Sequence, residues 1–581
     1  MTGTSEQGEL LLPPRSAENI PSTTRLTTMS SGDLQISYPG AASAPVGNTR
    51  TTCPPTPRQE PQATLGAWDA PIDWPVVAVH LHLMPSGQVL SWGLLGDPYV
   101  WNPATGVFAA LPTSTALFCS GHTFLADGRL LVAGGHISND HGLPDTNIFD
   151  DATRAWTAVL PMSRGRWYPT TTTLPNGEVV TVAGNDQDGI EVTTPEVWNG
   201  SAWHTLTGAD LSVPYYPRLF VAPNGLVFMA GELPQSYYLD PAGAGTWIPV
   251  ARSNYGQRDY GSAAMYRPGK VLIVGGSNLP LGAPTSTAEV IDLGQAAPSW
   301  QYTGSMAYPR RQFNATLLPD GRVLATGGTS SPGFSDPAGA IHAAEVWDPA
   351  SGNWSTWASN QVTRVYHSTT LLMPDARILH TGSGDGSGLP RELNAEFFSP
   401  PYLFRGPRPS MVTAPSVVGY GRSFFVATPD AGRVVRATLV RLSSVTHAFD
   451  ENQRFLELPL VRVAGGLSLT APANGNLAPP GHYMLFILDS VGVPSIARIV
   501  RLGDMTNTLS LNATRPIQLL QASLNATAMP AKTIAWEKFT KQAAWENAAR
   551  ASVCRSRSNG IQDARDWQIA AERRSLGQSK P

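Results

Sequence analysis

One pattern recurs seven times between Leu83 and Gly382: a short apolar segment, a tight turn, a second apolar segment, then a glycine pair or its remnant. The turns fall at Ser86-Gly87, Asp127-Gly128, Asn176-Gly177, Asn224-Gly225, Pro268-Gly269, Asp320-Gly321 and, in a degenerate copy, Asp375-Ala376. The closing glycines are Gly93, Gly134-Gly135, Gly184, Gly231, Gly275-Gly276, Gly327-Gly328 and Gly382. Asp-Gly and Asn-Gly supply the positive φ that a short hairpin needs. The flanking segments are apolar throughout rather than alternating, which predicts strands buried on both faces.

A second signal lies between the copies, a polar turn followed by tryptophan: Phe149 to Trp156, Val197 to Trp203 and Val346 to Trp354, with weaker versions ending at Trp247 and Trp300. Paired glycines with a trailing tryptophan match kelch-type blades. Seven copies predict an all-β, seven-bladed propeller of four-stranded blades. We assign it residues 67–404. After Phe404 the glycine pairs stop, and the short strands of 405–504 predict an immunoglobulin-like β-sandwich. Residues 1–66, rich in Ser, Thr and Pro, read as a flexible segment. Residues 505–581 read as a tail, partly helical over Lys532 to Ala551, and a possible protein contact.

Of the 581 residues 42% are hydrophobic and 14% charged, with a net charge of −3, which describes a globular chain without a nucleic-acid-binding charge pattern. Three cysteines, Cys53, Cys119 and Cys554, make neither a disulfide framework nor a zinc motif. No stretch reads as a transmembrane segment, and no signal peptide is visible in the first 66 residues.

Tyr366 and His367 stand side by side where a buried strand begins. Neighbours on a strand point to opposite faces, so both can serve one site only where the strand is just starting or bends. His80 and His82 would share one strand face, but no third ligand lies near them in sequence, so they read as structural. His122 and His136 flank the second turn and have no assigned task. Taken singly, Cys119 reads as a small buried hydrophobe, Tyr168 as a packing aromatic and His447 as a loop or core histidine.

Five stretches together resemble the copper-radical oxidases, galactose oxidase and, more closely, glyoxal oxidase. They are Leu117 to His122, Met162 to Pro169, Arg364 to His367, Ser443 to Arg454, and Pro479 to Phe486 continuing through Gly492 to Ser495. The resemblance covers about residues 74 to 502. It implies one copper held by Tyr168, Tyr366, His367 and His447, the last carried by a sandwich-domain loop that threads the propeller axis. Two imidazoles and two phenolates suit Cu(II). It also implies a thioether between Cys119 and Tyr168, with Tyr168 as the radical and Tyr366 as the axial general base. The expected reaction takes a small aldehyde or primary alcohol and O2 to the oxidised product and H2O2. The family is usually secreted.

The chain departs from the galactose oxidase pattern in two places. Gly184-Asn185-Asp186 stands where a tryptophan would stack over the thioether, and Trp167 need not take that role. Tyr215-Tyr216-Pro217-Arg218 resembles glyoxal oxidases and weakens galactose as substrate. The alternative reading is a non-enzymatic propeller, a binding or carbohydrate-recognition protein that kept the fold.

Overall fold

The computed structural model describes residues 61–503, with 280 and 387 excepted. The expected helical tail, residues 505–581, lies outside the described residues, as do residues 1–60. Within the segment read as flexible, Gln62–Leu65 form a single helical turn.

Each repeat copy folds as an inner hairpin whose strands are buried on both faces, as in Gly121–Phe124 with Leu130–Ala133 and Thr170–Thr173 with Val179–Val182. Burial of a Val or Leu side chain is worth about 1.5–3 kcal/mol. At the turns Gly177 has φ +90°, and Ala376, in the degenerate copy, takes φ +65° at the matching place. A third and fourth strand complete each sheet. The seven sheets have inner strands His80–Leu83, Gly121–Phe124, Thr170–Thr173, Leu219–Val221, Ser262–Arg267, Asn314–Leu317 and Ser368–Leu372, which we number as blades 1 to 7. Blade 7 takes its outer strand from the other end of the chain: Ala67–Trp68 and Ile72–Asp73 pair with Asn394–Ser399.

The ring closes through its apolar interfaces. One core joins blades 5, 6, 7, 1 and 2, and three others join 2 to 3, 3 to 4 and 4 to 5. The trailing tryptophans also bridge blades. Trp156 Nε1 donates to Leu111 O and Trp247 Nε1 to Ala209 O, both at 3.1 Å, and Trp68 Nε1 on the outer strand of blade 7 donates to Ala358 O of blade 6 at 2.8 Å.

Buried arginines brace the strand entries from within single blades. Arg166, Arg258, Arg310 and Arg364 each lie just before an inner strand and pair with a glutamate on the third strand of their own blade: Glu196, Glu289, Glu345 and Glu396. The backbone carbonyl of Arg364 accepts from Gly328 N of the previous blade at 2.7 Å, and a Cβ on the adjoining Gly327 would lie 2.6 Å from that oxygen. The glycine pair is therefore the place where one blade receives the next.

Beyond Phe404, a five-stranded sheet that includes Val434–Arg441 and Gly481–Asp489 faces a three-stranded sheet of Ser423–Ala427, Leu460–Val463 and Gly466–Thr470 across a common apolar core. This is a β-sandwich. Between its strands the chain sends out a hairpin, Ser444–Thr446 and Phe449–Asp450, which pairs with the inner strand of blade 1. His80 lies opposite Thr446, and His82 opposite Ser444. The hairpin occupies the propeller axis and is fastened to several blades. Thr123 Oγ1 donates to Asn452 Oδ1 (2.8 Å), Met265 N to Gln453 Oε1 (3.1 Å), and Arg454 Nη2 to Val221 O (2.8 Å).

Candidate metal centre at the propeller axis

In six blades a residue just ahead of the inner strand adopts a left-handed backbone: Cys119 (φ +61°), Tyr168 (+66°), Tyr216 (+45°), Tyr260 (+50°), Gln312 (+57°) and His367 (+68°). Such a conformation is unfavourable for a bulky residue and persists only where the surroundings impose it. Here the surroundings are neighbouring blades. Tyr168 N donates to Cys119 O, Tyr216 N to Tyr168 O and Gln312 N to Tyr260 O, all at 2.9 to 3.0 Å. These bonds run around the axis and turn the side chains of successive blades toward it.

The left-handed residue also undoes strand alternation. Tyr366 and His367, consecutive in sequence, stack at 3.7 Å between ring centroids, and so do Trp167 and Tyr168 at 3.7 Å and 6°. The second pair corrects an expectation: Trp167 does stack on the Tyr168 ring. Asn185, in the stretch where galactose oxidase has its tryptophan, instead exchanges two backbone hydrogen bonds with Trp167. Trp167 Nε1 meets His136 Nδ1 at 3.1 Å, so His136 helps to hold the indole.

His447 arrives from the sandwich. It and Ala448 form the two-residue turn of the axial hairpin, with φ +43° and +68°. Positive φ at both positions is the type I′ pattern, which usually takes Asn-Gly. Its ring lies 4.8 Å from that of His367 and 4.5 Å from that of Tyr168, with Tyr216 stacked on it at 4.5 Å.

The polar tips meet. Tyr168 and Tyr366 hydroxyl oxygens are 2.6 Å apart, and His367 and His447 Nε2 atoms are 3.1 Å apart. Each imidazole uses its other nitrogen elsewhere: His367 Nδ1 donates to Gly384 O at 2.6 Å, and His447 Nδ1 bonds Thr446 Oγ1 at 2.7 Å. That arrangement orients an imidazole and leaves Nε2 free as a ligand. Cys119, a fully buried free thiol, packs with Trp167, Tyr168 and Tyr216.

Burial lowers the pKa of His367 to about 4 and holds His447 well below its ordinary value, so both are neutral, as ligands must be. Burial raises Tyr168, Tyr366 and Cys119. The phenols keep their protons until a cation displaces them. The two Nε2 atoms, 3.1 Å apart, are close enough that one cation would be held by both His367 and His447. Among the described residues no trio of His, Cys, Asp or Glu side chains converges as a metal site. A cation here would therefore need the phenols, which fits a copper donor set of mixed N and O.

His80, His82 and His122 come together nearby but bond one another: His80 Nδ1 to His122 Nε2 at 2.9 Å, and His122 Nδ1 and His82 Nδ1 to Ser444 Oγ at 2.6 and 2.9 Å. Sequence reasoning did not find Tyr260, which flanks Tyr366 together with Phe334. A signal existed, since Arg-x-Tyr occurs at 166–168, 258–260 and 364–366.

The all-β propeller and its sandwich domain thus bring two tyrosines and two histidines together, buried at the axis, as a candidate metal centre. Residues 408–502 match the family model "Galactose oxidase-like, Early set domain". The chain is 28% identical to galactose oxidase of Gibberella zeae over 490 residues, 76% of this chain and 71% of that protein. It is 29% identical to aldehyde oxidase GLOX of Vitis pseudoreticulata over 73% of this chain and 89% of that one. A solved fungal alcohol oxidase of the AA5 family, in complex with copper, superposes with a TM-score of 0.71 at 27% identity, over 76% of this chain and 100% of its own. The chain is thus similar to galactose oxidase and the GLOX aldehyde oxidases, and it is a copper-radical oxidoreductase.

Proposed function

We propose that Tyr168, Tyr366, His367 and His447 hold one copper, that Cys119 and Tyr168 join as a thioether, and that the centre oxidises a small aldehyde or primary alcohol with O2, releasing H2O2. The observation that carries this reading is the meeting of two phenol oxygens and two imidazole nitrogens, with a buried thiol packed against one of the phenols.

Copper bound there supplies one electron step of the two-electron oxidation and the means to pass electrons to dioxygen. The second electron step belongs to Tyr168, whose ring becomes easier to oxidise once it carries sulfur. Trp167, stacked on that ring, shields the radical from solvent. Tyr366 takes the proton of the substrate hydroxyl, or of the aldehyde hydrate, as general base. An alcohol RCH2OH with O2 gives RCHO and H2O2; an aldehyde hydrate gives the acid and H2O2. Both tyrosines are only 5% exposed, and Tyr260 and Phe334 crowd Tyr366, which favours small substrates.

The test is peptide mass spectrometry on protein purified without copper, then given Cu(II) and air. Joining of the Cys119 and Tyr168 peptides with loss of two hydrogens supports the reading, and peroxide release then screens substrates. Copper bound without cross-linking favours a propeller kept for binding.

A further inference from the structure

The histidine cluster beneath the centre accounts for a need that the four proposed ligands leave open. Cys119 takes a left-handed backbone one residue ahead of Ser120 and two ahead of its blade's inner strand, Gly121–Phe124. Its N–H points into the protein and finds no carbonyl partner. It donates instead to His80 Nε2 at 3.1 Å. An orphaned buried N–H costs about 1–3 kcal/mol, so this bond adds to the inter-blade bond from Tyr168 N in holding the left-handed turn.

That acceptance sets the whole chain of bonds. With Nε2 accepting, the His80 proton sits on Nδ1 and is donated to His122 Nε2. The His122 proton then sits on Nδ1 and is donated to Ser444 Oγ. The Ser444 hydroxyl can in turn donate to His82 Nδ1 or to His122 O, at 2.9 and 3.2 Å. His80, His82, His122 and Ser444 are all fully buried. All the ring nitrogens except His82 Nε2, which has no hydrogen-bond partner, are spent on one another, on Ser444 and on Cys119, so the cluster is not arranged as a second metal site. Packing reinforces it: the His80 ring lies nearly parallel to Trp92, 5.1 Å away at 14°, and Trp92 Nε1 grips Leu117 O at 3.1 Å, two residues before Cys119.

Ser444 is the far end of this chain, and it sits on the axial hairpin three residues before His447. Docking of that hairpin thus brings His447 to the axis and closes the bonds that hold Cys119. We infer that His80 is a positioning residue for assembly of the Cys119–Tyr168 link: through His122 and Ser444 it presents the thiol to the Tyr168 ring only when the sandwich hairpin is seated. In that step the thiol S–H and one ring C–H are lost and a C–S bond forms. Two electrons and two protons pass to dioxygen, giving H2O2. The inference rests on the thioether proposed above.

The experiment follows cross-link formation by mass spectrometry in copper-free wild type, His80→Phe, His80→Gln and Ser444→Ala after addition of Cu(II) and air. Anaerobic Cu(II) binding by electron paramagnetic resonance and thermal melting are measured alongside. His80→Phe should slow cross-linking about tenfold, the effect of one lost hydrogen bond to a buried donor, with Cu(II) binding retained. His80→Gln, which can return an acceptor oxygen near the Nε2 position, should recover most of the rate, and Ser444→Ala should be slowed less than His80→Phe. Cross-linking of His80→Phe at the wild-type rate overturns the inference. So does equal slowing in His80→Phe and His80→Gln in proportion to lost melting temperature, since that is a packing effect. Should His80→Phe not fold, Ser444→Ala decides, and a wild-type rate in that variant overturns the inference. A wild type that never cross-links overturns the thioether reading itself, so the two failures are distinguishable.

Discussion

Blades 3 and 6 present the same backbone to the axis and opposite chemistry. In each, a fully buried arginine pairs with a third-strand glutamate, Arg166 with Glu196 at 3.0 Å and Arg310 with Glu345 at 2.7 Å. In each, that arginine's Nη1 donates to a carbonyl at or next to the end of the second strand, Ala183 O or Gly327 O, at 2.9 Å. Two residues on, the chain turns left-handed, and the N–H of that residue bonds the left-handed residue of the blade before. The two residues that follow the arginine carry the difference. Blade 3 has Trp167-Tyr168, an indole stacked on a phenol that meets Tyr366. Blade 6 has Arg311-Gln312, a guanidinium paired with Asp259 of blade 5 and an amide without a protein partner. The repeat supplies position, and a pair of side chains supplies function. A propeller can thus change its chemistry without changing its frame.

The largest effect should come from the element that belongs to no blade. His447→Ala is expected to lower Cu(II) affinity by at least about 100-fold, more than typical losses from residues that only support a ligand, as read by anaerobic titration. Unchanged affinity would remove the hairpin tip from the site. Next, Tyr366→Phe should cut kcat by about 10²–10⁴-fold while the Tyr168 radical signal persists. Undiminished turnover would take away its role as base.

The frame itself is tested by Arg310→Met, which strands Glu345 and should cost about 3–5 kcal/mol of stability while leaving copper affinity as it was. Arg166→Met should cost as much and also slow cross-linking, because it loosens the approach to Tyr168. Identical behaviour of the two variants at the centre would break the contrast between the blades.

The smallest effect concerns Glu451, which sits next to the axial hairpin. Burial raises its pKa from 4.5 to about 8, against the bonds it accepts from His122 N, Thr171 N and Thr171 Oγ1. The unfolded chain releases this proton near pH 4.5 and the folded one near 8, so the contribution is present below about 4.5 and is lost as pH rises through 8. Glu451→Gln should therefore melt about 1–2 °C above wild type at pH 8–9 and together with it at pH 4. An equal difference at both pH values would rule out titration as the cause.

Much of this was legible along the chain because it is local. Turn pairs and apolar runs marked the inner hairpins, whereas Cys119, Tyr168, Tyr366, His367 and His447 were singled out by the resemblance to copper-radical oxidases and not by any one local pattern; the structure brings their side chains close together. Other features were hidden for stated reasons. The tryptophans were visible as markers, but their N–H bonds to the preceding blade span tens of residues. Nothing in the sequence required Trp167 to stack on Tyr168, since adjacent residues on a strand diverge, and the left-handed backbone at Tyr168 brings the two rings together. The His447-Ala448 turn has none of the Asn-Gly chemistry that would announce it. His80 and His82 looked isolated because their third imidazole, His122, comes from the next blade and their serine from residue 444.

By itself the sequence determined how many blades form and which residues stand before each inner strand, since turn chemistry and hydrophobic runs act over a few residues. The tertiary structure decided which of those side chains face one another. Cys119 and Tyr168 are 49 residues apart, Tyr168 and Tyr366 are 198 apart, and His367 and His447 are 80 apart. Their meeting depends on blades closing into a ring and on a hairpin from another domain filling its axis. Those bonds form only when the whole chain is folded, and no local pattern encodes them.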